Sequence, residues 1–211
     1  PITPNKTPSE LQNLLGNTSL PENGMPPNKL MARTTNLLFN HSLFNGHPKF
    51  LGYITSSPAP LGALADLLSA SVNPNVGAHI LSPIATEIEK QTIDWLCQFI
   101  KVPSTYGGIL VSGGNMANFT AFLAARTAKT PKHFKEEGIS AEGGKLLVYC
   151  SSTTHTWVEK AAILFGLGTN AIRWIAADDE NKMDLSSLSQ TIQKDLDDGH
   201  KPMMVIGTAG D

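Results

Sequence analysis

The sequence contains few of the features that mark several large classes of protein. Cysteine occurs twice, at Cys97 and Cys150, and both lie in apolar segments. We therefore interpret them as small buried residues of a reduced, cytoplasmic protein rather than as a disulfide or a metal site. No uncharged apolar run is long enough to span a bilayer. Charged residues make up only 16% of the chain and the net charge is −2, which predicts no basic surface for nucleic acid.

The N-terminal segment is rich in proline. Six of the 14 prolines lie within the first 27 residues. Because proline disrupts the interior of a helix, this segment cannot form one long helix. We expect an arm with one short helix near residues 9–15, which has little core of its own and lies on another protein surface. Longer helices are predicted at residues 29–44, at 60–72 and from Pro83, where Ser82 is a natural N-cap.

The second half of the chain alternates between strand and helix patterns. Short apolar runs predict strands at residues 109–111, 145–150, 171–175 and 203–206. Periodic patterns predict helices at residues 115–128, 156–166 and 185–198, the last with Asp184 as its N-cap. This alternation is typical of an α/β fold with a largely parallel sheet. Ligands of such folds bind where the carboxyl ends of strands meet loops, so these loops form the candidate site.

The segment Ser112-Gly113-Gly114-Asn115 joins the first predicted strand to a helix. Unpaired N–H groups and the positive end of the helix dipole suit such a turn to phosphate binding. The dinucleotide motif Gly-x-Gly-x-x-Gly, the Walker lysine and the hydrolase motif Gly-x-Ser-x-Gly are all missing here. The pattern better fits a single phosphate monoester held by the N–H groups of Gly114 and Asn115. The alternative is that the glycines serve only a tight turn.

Two further loops follow predicted strands. His155 follows four hydroxyl residues, at 151–154, which come directly after the strand at 145–150. An imidazole in that place can stack on a planar ring and can donate a proton or a hydrogen bond; the alternative is a structural or solvated histidine. Thr208 follows the strand at 203–206 and, by itself, marks an ordinary strand end.

Six motifs, in order along the chain, resemble the group II pyridoxal-phosphate-dependent decarboxylases, which include aromatic amino acid, glutamate and histidine decarboxylases. The resemblance extends from His47 to the last residue. The motifs are His47-Pro48-Lys49-Phe50, Ser82-Pro83-x-x-Thr86-Glu87, Ser112-Gly113-Gly114-Asn115-Met116-Ala117-Asn118, Thr153-Thr154-His155, Asp179-Glu180-x-x-Met183-Asp184 and Gly207-Thr208-Ala209-Gly210-Asp211. The sequence departs from the family pattern at Asn115, where many members carry serine or threonine, and at Trp157, where many carry a small residue.

The resemblance implies an aspartate-aminotransferase-like (fold type I) architecture with pyridoxal 5'-phosphate as its cofactor. It also implies the decarboxylation of an L-amino acid to the amine and CO2. Gly114 and Asn115 would hold the cofactor phosphate. His155 would stack on the cofactor ring and act at the α-carbon of the substrate. Thr208 would contact the ring or its hydroxyl, and Tyr53 would line the substrate pocket.

The resemblance further implies how the chain is organised. Residues 1–46 would form an arm and helix that contact the partner subunit of a homodimer, and residues 47–211 the N-terminal part of the large cofactor-binding domain. Family members place the Schiff-base lysine, and the aspartate that pairs with the ring nitrogen, downstream of the segment that matches Thr208, so Asp211 is not that aspartate. The remaining C-terminal part of the protein is therefore an expected partner, and residues 1–211 alone are expected to be inactive.

Two other interpretations stay open. The first keeps the cofactor and changes the reaction to that of an aldehyde synthase, an aminotransferase or a carbon–sulfur lyase. The second is a non-catalytic fragment that binds pyridoxal phosphate or serves dimerisation. The sequence does not identify the amino acid substrate.

Overall fold

The computed structural model describes residues 5–16, 19–53, 55–103, 105–131, 134, 138 and 144–209. By the contacts between residues, the chain forms two compact units, Pro1–Ala85 and Thr86–Asp211. The domain boundary that the resemblance places between residues 46 and 47 stays a prediction. Of the motif after the last strand, Gly210 and Asp211 lie outside the described residues.

The first unit is helical. Its helices are α1 (Pro8–Leu15), α2 (Pro27–His41) and α3 (Pro60–Val72), followed by a 3-10 turn at His79–Leu81. Helix α1 begins with a capping box, in which the Glu10 N–H donates to Thr7 Oγ1 (3.3 Å) and the Thr7 N–H donates to Glu10 Oε2 (2.7 Å). All residues of α1, α2 and α3 are described, and none of them is buried. The predicted helices are confirmed, but their apolar side chains form no buried core among the described residues.

The remaining elements begin with two helices and then alternate between strand and helix from residue 146 onward, as the sequence predicts. They are α4 (Pro83–Phe99), α5 (Gly114–Lys129), β1 (Leu146–Ser151), α6 (Trp157–Leu164), a 3-10 turn (Thr169–Ala171), β2 (Ile172–Ile175), α7 (Leu185–Asp197) and β3 (Lys201–Ile206). Asp184 is the N-cap of α7, because its Oδ1 accepts a hydrogen bond from the Ser186 N–H at 2.9 Å.

The prediction of a strand at residues 109–111 is wrong. This segment pairs with no strand in the described part of the chain, and Ile109 and Leu110 are 62% and 53% exposed. The Leu110 N–H instead donates to Glu89 Oε1 of α4 at 2.9 Å. A short apolar run becomes a strand only when a neighbouring strand satisfies its backbone, and that neighbour is missing among the described residues.

The sheet in the described region has the strand order β2-β1-β3, and both pairs are parallel. Tyr149 of β1 lies opposite Arg173 of β2. The register between β1 and β3 shifts after Leu147, which lies opposite Pro202. Proline has no N–H for the ladder, so an irregularity at this point is expected. All three strands end at the same edge of the sheet, because they run in the same direction.

The core lies on both faces of β1. On one face, Val148 and Cys150 pack with Phe122 of α5 and with Val158 and Ala161 of α6. On the other face, Leu147 and Tyr149 pack with Ala171 and Ile175, and with the partly buried Leu188 and Ile192 of α7. Helices therefore cover both faces of the central strand, as in an α/β fold.

Candidate functional site

A cleft of about 740 Å³ opens at the carboxyl edge of the sheet, within the second unit. It is lined by Ser112, Gly113, Gly114, Asn115, Asn118, His155, Trp157 and Thr208. The N-terminus of α5, the loop after β1 and the loop after β3 each contribute to it. The structure thus brings together Gly114, Asn115, His155 and Thr208, four of the five predicted site residues.

The N-terminus of α5 presents free backbone donors to this cleft. The N-cap is Gly113, which has φ 81° and no side chain that could cap the helix. The first hydrogen bond of the helix runs from the Ala117 N–H to the Gly113 carbonyl, at 3.1 Å. The preceding N–H groups, including those of Gly114 and Asn115, therefore have no acceptor within the helix. Together with the dipole of a 16-residue helix, these N–H groups are suited to binding an anion.

Hydrogen bonds fix the loop that carries His155. Ser151, which is buried, accepts on its carbonyl from the Thr154 N–H (3.0 Å) and on its Oγ from the Thr153 N–H (3.3 Å). The Ser152 N–H donates to the Ile175 carbonyl of β2 (2.8 Å). The imidazole is held as well, since its Nδ1 accepts from the Trp157 N–H at 3.2 Å. His155 therefore has a defined place in the cleft.

Asn118 and Trp157 line the cleft although they were not among the predicted site residues. Asn118 lies one helical turn after Asn115, and this spacing places the two on the same face of α5. Trp157 is only 7% exposed, and its ring packs edge-to-face on Phe122 of α5, with 6.4 Å between ring centroids. The helical spacing within the glycine motif is the signal that could have identified Asn118. No sequence signal separates Trp157 from an ordinary core residue.

Tyr53 belongs to the first unit, whereas the residues that line the cleft all belong to the second. Its side chain is 92% exposed and its φ is 58°. A positive φ is uncommon for a residue with a side chain as large as that of tyrosine. Its place in a substrate pocket stays a prediction.

A largely buried ionic network lies between the sheet and α7. Asp195 is 4% exposed and accepts from the Tyr149 hydroxyl at 3.0 Å and from Arg173 Nη2 at 2.8 Å. Burial would raise the pKa of Asp195, but the hydrogen bonds from Arg173 and Tyr149, together with the Arg173 charge, hold it below its ordinary value. Burial and the bond to Asp195 raise the pKa of Tyr149. The network is therefore an ion pair with a neutral phenol, which joins β1, β2 and α7.

Both cysteines of the chain belong to the second unit. Cys97 and Cys150 are free and buried, as predicted, and burial raises the pKa of the Cys150 thiol to about 11. Within the described ranges, no group of three or more histidine, cysteine, aspartate or glutamate side chains is placed to hold a metal ion. No described helix is both long and apolar enough to cross a membrane.

Comparisons with known proteins agree with this arrangement. The family described as pyridoxal-dependent decarboxylase conserved domain matches residues 8–211. An aromatic-L-amino-acid decarboxylase of Bacillus atrophaeus is 33% identical over 192 residues, which cover 91% of this chain and 38% of the relative. The crystal structure of Oryza sativa TDC with PLP and tryptamine superposes with a TM-score of 0.85 at 26% identity, over 97% of this chain and 45% of the plant protein.

A Rhodiola rosea 4-hydroxyphenylacetaldehyde synthase is similar to the same degree, with a TM-score of 0.83 and 26% identity over 100% of this chain and 45% of that protein. These matches confirm the predicted architecture, which is α/β of the fold type I class with a mainly parallel sheet, present here in part. The chain spans less than half of the length of each of these three proteins.

Proposed function

Because the chain belongs to the pyridoxal-dependent decarboxylase family, we propose that it supplies the phosphate-binding and ring-stacking part of an enzyme that decarboxylates an L-amino acid to the amine and CO2. One observation carries the proposal. The cleft combines a phosphate-type anion site at the N-terminus of α5 with an imidazole, His155, and a hydroxyl, Thr208. This donor set suits a ligand that has a phosphate at one end and a polar planar ring at the other.

The residues present fit pyridoxal phosphate. A Cβ atom added at Gly113 or Gly114 would meet no atom within 4 Å, so there is open space where a phosphate would bind. The N–H groups of Gly114 and Asn115 bind the phosphate, and the Asn115 amide is a further donor beside them. The imidazole of His155 stacks on the pyridine ring, and the Thr208 hydroxyl binds at the ring or its substituent. When bound, the cofactor accepts the electron pair released as the carboxylate leaves.

His155 has two tasks in this proposal. As a planar ring it would lie against the cofactor ring and restrict its orientation. As a group that can hold a proton on a ring nitrogen, it would deliver that proton to the substrate's α-carbon. Both tasks need a fixed imidazole, and the hydrogen bonds of residues 151–157 provide it.

The rest of the proposed enzyme comes from outside this cleft. We place Tyr53 in the substrate pocket, and we place the Schiff-base lysine and the aspartate partner of the ring nitrogen in the remaining C-terminal part of the protein. We also propose a homodimer, to which the arm of residues 1–46 contributes. The exposure of apolar side chains on α3, such as Leu61 (78%) and Leu64 (62%), supports a further protein surface against this unit. Two unpaired cysteines support a cytoplasmic setting.

Gly114→Ala in the full-length protein tests the cleft directly. A methyl group there meets no protein atom and replaces a helical glycine, so the stability of the protein is unchanged or rises by up to about 1 kcal/mol. The same methyl group occupies space next to the phosphate, so the affinity for pyridoxal phosphate falls. We expect the dissociation constant from an absorbance titration to rise at least about tenfold, the equivalent of about 1.4 kcal/mol.

Gly107→Ala is the matched control, because Gly107 is also in open space and is not among the residues that line the cleft. Its affinity for the cofactor should equal that of the wild type. Equal affinity in both variants would show that the phosphate binds elsewhere. A wild-type protein that binds the cofactor, yet releases no CO2 from any amino acid tested, would contradict the proposed decarboxylation and support a non-catalytic, cofactor-binding role.

The similarity to the Rhodiola rosea structure, which is that of an aldehyde synthase, supports a second candidate reaction. Decarboxylation gives the amine and CO2, whereas the oxidative variant consumes O2 and water and gives the aldehyde, CO2, ammonia and hydrogen peroxide. His155 as a proton donor favours the amine. Chromatographic analysis of amine, aldehyde and ammonia from the same reaction mixture separates the two reactions.

A further inference from the structure

The N-terminus of α6 is capped by the imidazole of His155. Trp157 is the first residue of this helix, and its N–H donates to His155 Nδ1 at 3.2 Å. The residue at the ordinary capping position is Thr156, whose side chain makes no capping hydrogen bond. His155, one position earlier, therefore satisfies one of the free N–H groups with which a helix begins.

This hydrogen bond decides which ring nitrogen carries the proton. A nitrogen that accepts a hydrogen bond through its lone pair carries no hydrogen, so the proton of the neutral imidazole is on Nε2. Nδ1 is engaged with the backbone, and Nε2 is the ring nitrogen left for a ligand. Because His155 lines the cleft, the cleft contains a hydrogen-bond donor at this point and not an acceptor.

Trp157 keeps its N–H in place through its own packing. The indole is buried against Phe122, which is fully buried in α5. Helix α5 also carries Gly114, which lines the same cleft, at its N-terminus. The Trp157–Phe122 contact therefore connects the helix that binds the anion with the helix that orients the imidazole.

We propose that Trp157 is a positioning residue, whose backbone N–H holds His155 in the Nε2–H tautomer so that His155 donates a hydrogen bond to an oxygen of the ligand in the cleft. The identity of the ligand rests on the function proposed above, but the tautomer does not. A chain that holds the proton on Nε2 in advance needs no exchange of protons between ring nitrogens when the ligand binds.

Two substitutions of His155 separate its two nitrogens. In His155→Asn, the amide oxygen can replace Nδ1, because asparagine readily accepts a hydrogen bond from the N–H two residues later. In His155→Gln, the longer side chain can place its amide nitrogen where Nε2 was, and it loses the cap. Both variants lose the aromatic ring equally, so the difference between them reports only the two hydrogen bonds.

Hydrogen exchange at the Trp157 amide and the affinity for pyridoxal phosphate are measured on the full-length protein. We expect His155→Asn to retain protection of the Trp157 amide, and His155→Gln to exchange it about fivefold faster, as the loss of one hydrogen bond predicts. The cofactor affinity should show the opposite order, with His155→Asn about fivefold weaker than His155→Gln. Identical behaviour of the two variants, or the reverse order in either measurement, would overturn the proposal.

Solid-state nitrogen-15 NMR of histidine-labelled full-length protein without cofactor reads the tautomer directly. The His155 signals are those that disappear in His155→Gln, and we expect Nδ1 to be the nitrogen without hydrogen. A proton on Nδ1 would overturn the proposal even if the cofactor binds as expected. Conversely, a protein that binds no pyridoxal phosphate would contradict the proposed function, while the amide exchange and the NMR result still decide the tautomer.

Discussion

Replacing Asp195 by alanine tests the ionic network between the sheet and α7. Asp195→Ala removes the acceptor for the Tyr149 hydroxyl, which is fully buried, and for the Arg173 guanidinium, whose side chain is 28% exposed. Breaking a buried ion pair costs about 3–5 kcal/mol. Because the Arg173 guanidinium can regain some contact with water, we expect Asp195→Ala to lower the free energy of unfolding by about 3 kcal/mol, the lower end of this range. The loss of stability affects β1, the strand that leads to His155.

The assay is native-state hydrogen exchange at the amides of β1 in the full-length protein, which gives the local free energy of opening. A loss of about 3 kcal/mol makes exchange more than about a hundredfold faster, since each 1.4 kcal/mol is tenfold. The control on the same helix end is Asp198→Ala, which removes the exposed partner of Lys194 and should cost at most about 1 kcal/mol. Equal exchange rates in the two variants would refute the assignment of a stabilising buried pair.

The same network predicts a dependence on pH. The pKa of Asp195 is lowered in the folded protein, so its contribution to stability is fully present above the unfolded-state value of about 4. It is lost as the pH falls through the lower folded-state pKa. The difference in opening free energy between wild type and Asp195→Ala should therefore be constant near neutral pH and shrink in acid. A difference that grows in acid would contradict the sign of the pKa shift.

Substitutions of Gly144 and Trp157, with Gly168 as a control, test packing near the sheet. Gly144 has φ 89°, and a Cβ there would lie 2.0 Å from the Gly199 carbonyl oxygen, so Gly144→Ala should destabilise the protein by more than about 3 kcal/mol in urea unfolding. Gly168→Ala has a similar φ, 76°, but open space, and should cost about 1 kcal/mol; equal losses would exclude the steric explanation. Trp157→Ala removes the contact with Phe122, so it should lower the free energy of unfolding by about 3 kcal/mol and weaken cofactor binding. Unchanged cofactor affinity would show that the two helices orient the site independently.

The elements whose signals are local could be predicted from the sequence. Asp184 begins α7 as predicted, because an N-cap depends on two or three adjacent residues. Gly114, Asn115, His155 and Thr208 meet in one cleft because each follows a strand or starts a helix at one edge of a parallel sheet. This expectation needed only the order of the elements.

Features that join distant parts of the chain could not be predicted in this way. Tyr149 and Asp195 are 46 residues apart in sequence, and no periodicity indicates that their side chains meet. The segment at 109–111 has the composition of a strand, but pairing depends on a neighbour outside the local sequence. The hydrogen bond by which His155 caps α6 could not be predicted from the sequence either, because Thr156 occupies the usual capping position.

The most direct test of the central claim is a crystal structure of the full-length protein with pyridoxal phosphate. We expect the phosphate at the N–H groups of Gly114 and Asn115, the pyridine ring against the His155 imidazole, and the Thr208 hydroxyl at the ring. Cofactor density at another site, or a phosphate in this cleft whose ring has no contact with His155, would show that these residues do not form the cofactor site.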